Sequence, residues 1–134
     1  MADRYFTPEE ANEALAIVRP LAEELVARRR ALRDAGEHRE TLRHRLAGNG
    51  DGLDARRVAA AETEMSGEAE LLERCLSRIG ELGVLVKDLD RGLVDFPALR
   101  GDEEVLLCWQ VGEEEVAHWH GLEEGFAGRR PLPL

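Results

Sequence analysis

The sequence predicts an α+β fold, a long antiparallel helical hairpin packed with a small antiparallel β-meander of about four strands. Three observations carry that reading. Apolar residues over 7–82 recur at the three- and four-residue spacings of a helix, glycines break this pattern near 48–52, and from Val84 it gives way to short strand-like runs joined by tight turns.

The first helix starts at Thr7-Pro8-Glu9-Glu10. Thr7 serves as N-cap, Pro8 suits the first helical position, Glu10 completes a capping box and Phe6 is placed for a hydrophobic staple. Leu15, Val18, Ala22, Leu25 and Leu32 then form a narrow seam suited to a coiled-coil-like partner, interrupted by Arg29. Pro20 falls inside this pattern and is expected to kink it, at about 3 kcal/mol unless packing compensates. Gly36 weakens the helix, and Leu42 and Leu46 let it resume. Gly48-Asn49-Gly50-Asp51-Gly52 reads as a turn, and Asp54 as the cap of a second helix. The second stripe runs Val58, Met65, Leu72 and Ile79 at heptad spacing, with Ala69 and Leu76 alongside. Gly67 is its weak point, and Gly80 and Gly83 end it. Two such helices alone leave part of their stripes exposed, so the stripes must meet a sheet or a second copy of the chain.

Strands are expected over 84–87 and 93–96, flanking the hairpin loop Asp88-Leu89-Asp90-Arg91-Gly92, with Pro97 closing the second. Gly101-Asp102 turns the chain into a strand over 105–110, and Gly112 into one over 116–120. Residues 121–134 contain glycine and proline and read as an extended tail. A single domain accounts for all 134 residues: hairpin over 7–82, meander over 83–120, then the tail.

Composition narrows the function classes. Hydrophobic residues at 43% and charged residues at 34% describe a soluble globular chain. No apolar run approaches the ~20 residues of a membrane span. The N-terminus lacks a signal peptide's apolar stretch, and two cysteines, Cys75 and Cys108, give no disulfide framework, so a cytoplasmic protein is expected. The net charge is −10, unevenly spread: Arg19 to Arg57 holds ten arginines against seven acids, whereas Glu81 to Glu124 holds twelve acids against Lys87, Arg91 and Arg100. So acidic a C-terminal half repels nucleic acid as a partner. The cluster Arg28-Arg29-Arg30 with Arg33 reads as a solvated helix face that pairs with acids.

The strand region holds the chemistry-bearing candidates. His118 and His120 share one face of their strand while Ala117 and Trp119 share the other. Two histidines at that spacing reach one metal, with Cys108 on a neighbouring strand as a third ligand, so a divalent metal is the one cofactor class left open; none is predicted outright. Asp88-x-Asp90-x-Gly92 resembles a calcium loop only superficially, because its twelfth position is Leu99 rather than a carboxylate. Lys87, the only lysine, and Asp88 end one strand while Asp95 sits on its partner. That cluster either fixes register as an ion pair or serves acid–base chemistry together with His120. Trp109 and Trp119 are candidates for a ligand-binding wall, although core packing is the commoner use of such area. Cys75, beside Leu72 and Ile79, reads as a small buried hydrophobe. No phosphate-binding glycine loop, nucleophile elbow, His-Glu-x-x-His or Cys-x-x-Cys is present.

Arg4-Tyr5-Phe6-Thr7-Pro8-Glu9-Glu10-Ala11-Asn12 at the start and the stretch from Gly83 to Pro97 resemble the domain of unknown function 2203 family. Leu107-Cys108-Trp109, Gly112-Glu113, Trp119-His120 and Gly125-Phe126-Ala127-Gly128 continue the likeness, which covers essentially the whole chain and is thinnest over 36–57. The resemblance implies a small prokaryotic cytoplasmic protein with no assigned activity. It draws attention to Lys87, Asp88, Gly92, Asp95, Trp109, Trp119 and His120, with Arg91 beside them as a further ligand-binding candidate.

The sequence therefore predicts a non-enzymatic interaction or ligand-binding module that forms a homodimer or other homo-oligomer through the helical hairpin, away from membranes. The alternative is a small enzyme or metal- or ion-binding protein that uses Lys87, Asp88, Asp95 and His120, with His118 and Cys108 as further metal candidates.

Overall fold

The computed structural model describes residues 2–48 and 52–134. Thr7 Oγ1 accepts the Glu10 N–H at 3.1 Å and the Glu10 carboxylate accepts the Thr7 N–H at 2.9 Å, so the capping box forms. From it α1 runs unbroken over Pro8–Gly48, about 60 Å at 1.5 Å per residue. Pro20 does not end the helix. The Ala16 carbonyl that loses its donor lies on an exposed turn open to water, and Pro20 is itself exposed. Gly36 does not interrupt it either; a Cβ there would sit 3.6 Å from Met65 Cε on the facing helix.

The second helix, α2, spans Gly52–Glu81. It begins two residues before Asp54, which therefore lies in the first turn rather than capping it. The Asp54 carboxylate accepts from Arg45 at 3.1 Å and pairs with Arg57 at 3.7 Å. Of the predicted turn, Asn49, Gly50 and Asp51 lie outside the described residues. Leu15, Val18, Leu21 and Leu25 of α1 join Leu72, Cys75 and Ile79 of α2 in one hydrophobic cluster with the sheet. Farther along the hairpin, Ala35 and Leu42 are buried, as are Val58 and Ala61 of α2, outside that cluster. Ala69, expected on the stripe, is exposed and Ala61 is buried instead; Cys75 is buried as expected.

Five antiparallel strands follow in spatial order β1-β2-β3-β4-β5: β1 (Leu85–Asp88), β2 (Leu93–Arg100), β3 (Glu103–Gln110), β4 (His118–Gly121) and β5 (Arg130–Pro131). The predicted meander is present, with three departures in detail. Pro97 lies inside β2 rather than closing it. In an antiparallel ladder a residue's N–H and C=O point to the same side, and the Pro97 carbonyl accepts the Phe6 N–H at 2.7 Å, beyond the end of β1. The N–H that proline lacks would thus face the sheet edge, where the ladder needs no donor. Val116 lies before β4, its N–H donated to Asn12 Oδ1 at 2.7 Å and its carbonyl accepting from Asn12 Nδ2 at 3.2 Å, which ties this segment to α1. The tail is more than extended chain: a 3-10 turn over Phe126–Gly128 leads into β5.

Register sorts the sheet into two faces. Val94, Phe96, Ala98, Val105, Leu107, Trp109 and Trp119 face the helices and belong to the core cluster. Leu93, Asp95, Pro97, Leu106, Cys108 and His120 occupy the other face and are buried as well. The segment after β4 folds back across that second face. Phe126 lies between the guanidinium groups of Arg91 (4.7 Å) and Arg129 (4.6 Å), and Arg129 donates to the Cys108 carbonyl at 3.4 Å.

Candidate metal centre

An aspartate inside the apolar run Leu93-Val94-Asp95-Phe96 must point to one face of β2, and the register sets it directly opposite Cys108 of β3. On the far side of β3, His120 of β4 pairs with Leu106, one pleat step from Cys108. The three side chains meet over β3, with their ligand-type atoms all within 4.8 Å of one another. Among the described residues this is the one group of three such side chains in that range. All are buried, with Asp95 1%, Cys108 0% and His120 3% exposed. Lys87 Nζ approaches the second Asp95 oxygen, Oδ2, at 3.9 Å from a side chain still 43% exposed.

The hydrogen bonds of His120 constrain what can lie between these groups. Its Nδ1 is 2.8 Å from the Gly121 carbonyl oxygen. A carbonyl only accepts, so Nδ1 carries the hydrogen and donates it. Nε2 then faces Asp95 Oδ1 at 3.1 Å. In the neutral ring Nε2 is a lone pair, and a carboxylate oxygen is another. A proton or a cation must hold the two together.

Burial, and then the charge of Asp95, push the Cys108 thiol up to about 12. A thiol held in its neutral form this firmly is a poor nucleophile. A divalent ion inverts the balance, because a coordinating thiol is deprotonated outright. Thiolate sulfur, imidazole nitrogen and carboxylate oxygen form a donor set that suits a zinc-class transition ion rather than magnesium or calcium. An Nδ1–H donated to a backbone carbonyl is also the usual outer-shell support of a metal-ligating histidine.

Lys87, Asp95, Cys108 and His120 thus converge, and the other candidates lie elsewhere. Asp88 turns away, with its Oδ1 accepting the N–H groups of Asp90 (2.8 Å) and Arg91 (3.0 Å) as a local turn. Asp90 pairs with Arg29 and Arg33 of α1. His118 shares a face with His120, but its Nδ1 lies 3.9 Å from Glu113 Oε2 and takes no part in the trio. Trp109 and Trp119 stand on the opposite face, in the core, with the Trp109 indole N–H donated to the Glu113 carbonyl at 3.1 Å. They line no wall of this centre. Arg91 stacks on Phe126 and so helps to hold the covering segment. From sequence, Asp95 groups with Lys87, Asp88 and His120, and Cys108 with the two histidines. The register unites the two groups.

A family model described as an uncharacterized conserved protein, DUF2203, matches residues 4–132. The chain belongs to the DUF2203 family. No curated protein and no solved structure matches it. In this DUF2203 protein the trio lies on the three central strands β2, β3 and β4, within the matched residues. No helix among the described residues is long and apolar enough to cross a membrane.

Proposed function

We propose that this protein is a metal-binding protein that carries one zinc-class divalent cation on Asp95, Cys108 and His120. The carrying observation is the contact of His120 Nε2 with Asp95 Oδ1 at 3.1 Å, which needs a proton or a cation between them, with a buried thiol beside it. With metal–ligand distances of about 2.0–2.1 Å, that separation subtends roughly 100° at an ion, close to tetrahedral. Three protein ligands leave a fourth position for water or a ligand, as in catalytic rather than closed structural sites. A site containing a thiolate suits the cytoplasm, where thiols stay reduced, and both cysteines are free. Nucleic acid has no place in this reading, since Arg28 pairs with Glu68 while Arg29 and Arg33 pair with Asp90.

The test is metal analysis of protein purified without chelator, followed by cobalt(II) titration of the stripped protein. Stoichiometric zinc is expected, and a thiolate-to-cobalt charge-transfer band that Cys108→Ser and His120→Ala abolish. Protein that holds no zinc and gives no such band would leave a buried histidine–aspartate ion pair in its place.

Self-association through the hairpin is a second reading. It is favoured by Leu46 and Leu53, 37% and 50% exposed at the hairpin end that lies outside the core cluster. Sedimentation equilibrium on wild type and Leu46→Glu/Leu53→Glu decides it: a dimer that the double variant dissociates supports it, and a wild-type monomer removes it.

A further inference from the structure

One residue pair along the strands from the trio, between the sheet and the end of α2, lies a cavity of about 420 Å³, within the size range of small-molecule sites and lined by the neighbours of the trio rather than by the trio itself. Three of its walls follow from the register, and the fourth, Leu122, stands just beyond β4. Leu85, Pro97, Leu106 and Leu122 line it, and each stands two residues along the chain from Lys87, Asp95, Cys108 and His120 respectively. Residues two apart on a strand share a face at about 7 Å. A polar row therefore adjoins an apolar one, shifted consistently toward the β2–β3 turn. Leu85 is 43% and Leu122 54% exposed, so large apolar side chains border the cavity without being sealed by the protein. Asp3 and Glu104 lie on its walls too.

Resting on the metal-binding reading above, we infer that this cavity takes a small monocarboxylate, its apolar body on Leu85, Pro97, Leu106 and Leu122 and its carboxylate toward the cation and Lys87. Charge selects the class. A dication is balanced by the Asp95 carboxylate and the Cys108 thiolate, with His120 neutral. Lys87, whose Nζ lies 3.9 Å from Asp95 Oδ2, then leaves the cluster one positive charge in excess, which a monoanion completes. A second carboxylate at the far end of the ligand would meet Asp3 and Glu104, so a dicarboxylate of equal length is disfavoured. The mainly apolar lining excludes a compact hydrophilic anion as the preferred occupant.

The experiment is calorimetry and methyl NMR on the zinc-loaded protein, with octanoate and the equally long dicarboxylate suberate as probes, and with zinc content measured on each sample. Octanoate is expected to bind and to shift the methyl resonances of Leu85, Leu106 and Leu122, with suberate about tenfold weaker or more. Lys87→Gln should weaken octanoate by about tenfold, the usual loss of a charge-assisted contact. Leu122→Glu, at an exposed position, should abolish octanoate binding while zinc content stays at the wild-type level. Zinc-loaded protein that ignores octanoate, or binds it equally well in Leu122→Glu and Lys87→Gln, overturns the ligand assignment alone. Protein without zinc overturns the metal centre and this inference with it.

Discussion

Gly92, at the turn into β2, has φ +63°, and a Cβ there would come within 2.5 Å of Val111 Cγ2 and 2.8 Å of Val26 Cγ2. Conformation and space both demand glycine, since α1 and the end of β3 close on the same backbone atom. Gly92→Ala should cost roughly 2–4 kcal/mol, combining left-handed strain with overpacking, read as a lower urea midpoint at unchanged slope. His120 is held by burial instead. His120→Ala leaves the Asp95 carboxylate buried with the neutral Cys108 thiol beside it and Lys87 at 3.9 Å. Removing one member of such a buried pair costs about 3–5 kcal/mol. The same urea titration should show it, and chelator-stripped wild type should lie between wild type and variant. The residue types of this centre were legible in the sequence because an aspartate and a histidine in apolar strands need a partner when buried. Their grouping was legible only in part, since His120 joins Asp95 in one reading and Cys108 in another. Faces follow from alternation only once register is known, and a one-residue slip would exchange Trp119 for His120 on the outer face. Only the pairing of Leu107 with Trp119, and of Leu106 with His120, separates the tryptophans from the trio.

At the scale of elements, the helices were the most legible because both their start and their period are local properties. The capping box at Thr7 and the heptad run from Val58 to Ile79 need no knowledge of the partner. Thr7→Ala should lose about 1 kcal/mol of stability, whereas Gly67→Ala and Gly36→Ala should each gain roughly 0.5–1 kcal/mol. A Cβ at Gly67 meets nothing within 4 Å, and at Gly36 only Met65 Cε in ordinary contact at 3.6 Å. Thermal melts of the three variants should therefore move in opposite directions, and a destabilised Gly36→Ala would mean that the helices pack more tightly there than these distances imply. What sequence misplaced is non-local. Pro97 reads as a strand end until the N-terminal arm is seen to take its carbonyl, and β5 is two residues long, too short for any period. Asp54 reads as a cap because the arginine it meets, Arg45, belongs to the other helix.

Across the whole molecule, the two chain ends are fastened to the sheet by carboxylates, and this makes the tertiary structure sensitive to pH in a definite sense. Glu104 of β3 accepts from the Tyr5 hydroxyl and from the Ala2 N–H at 3.2 Å, anchoring the arm that also bonds Phe6 to Pro97. The tyrosine hydrogen bond first, then that backbone N–H, lower the Glu104 carboxyl below its ordinary 4.5. In the tail, Glu124 accepts the Gly121 N–H at 2.8 Å and both Arg130 nitrogens at 2.8–2.9 Å, and the backbone bond first, then Arg130, lower it likewise. A carboxyl lowered on folding contributes stability that is present above its unfolded value and lost as pH falls through the folded one. Tyr5 moves the other way, raised above 10.0 chiefly by its bond to Glu104, so its contribution is intact below pH 10 and lost as pH rises through the folded value. The arm should therefore loosen at both ends of the pH scale and the tail only at the acid end. Hydrogen exchange, corrected for its intrinsic pH dependence, reports each: the Phe6 amide should lose protection below pH 4.5 and again above pH 10, while the Gly121 amide should lose it only on the acid side. Glu104→Gln should remove the acid response at Phe6 and leave that at Gly121 intact. If one substitution flattens both, the ends are released by global unfolding rather than by their own carboxylates.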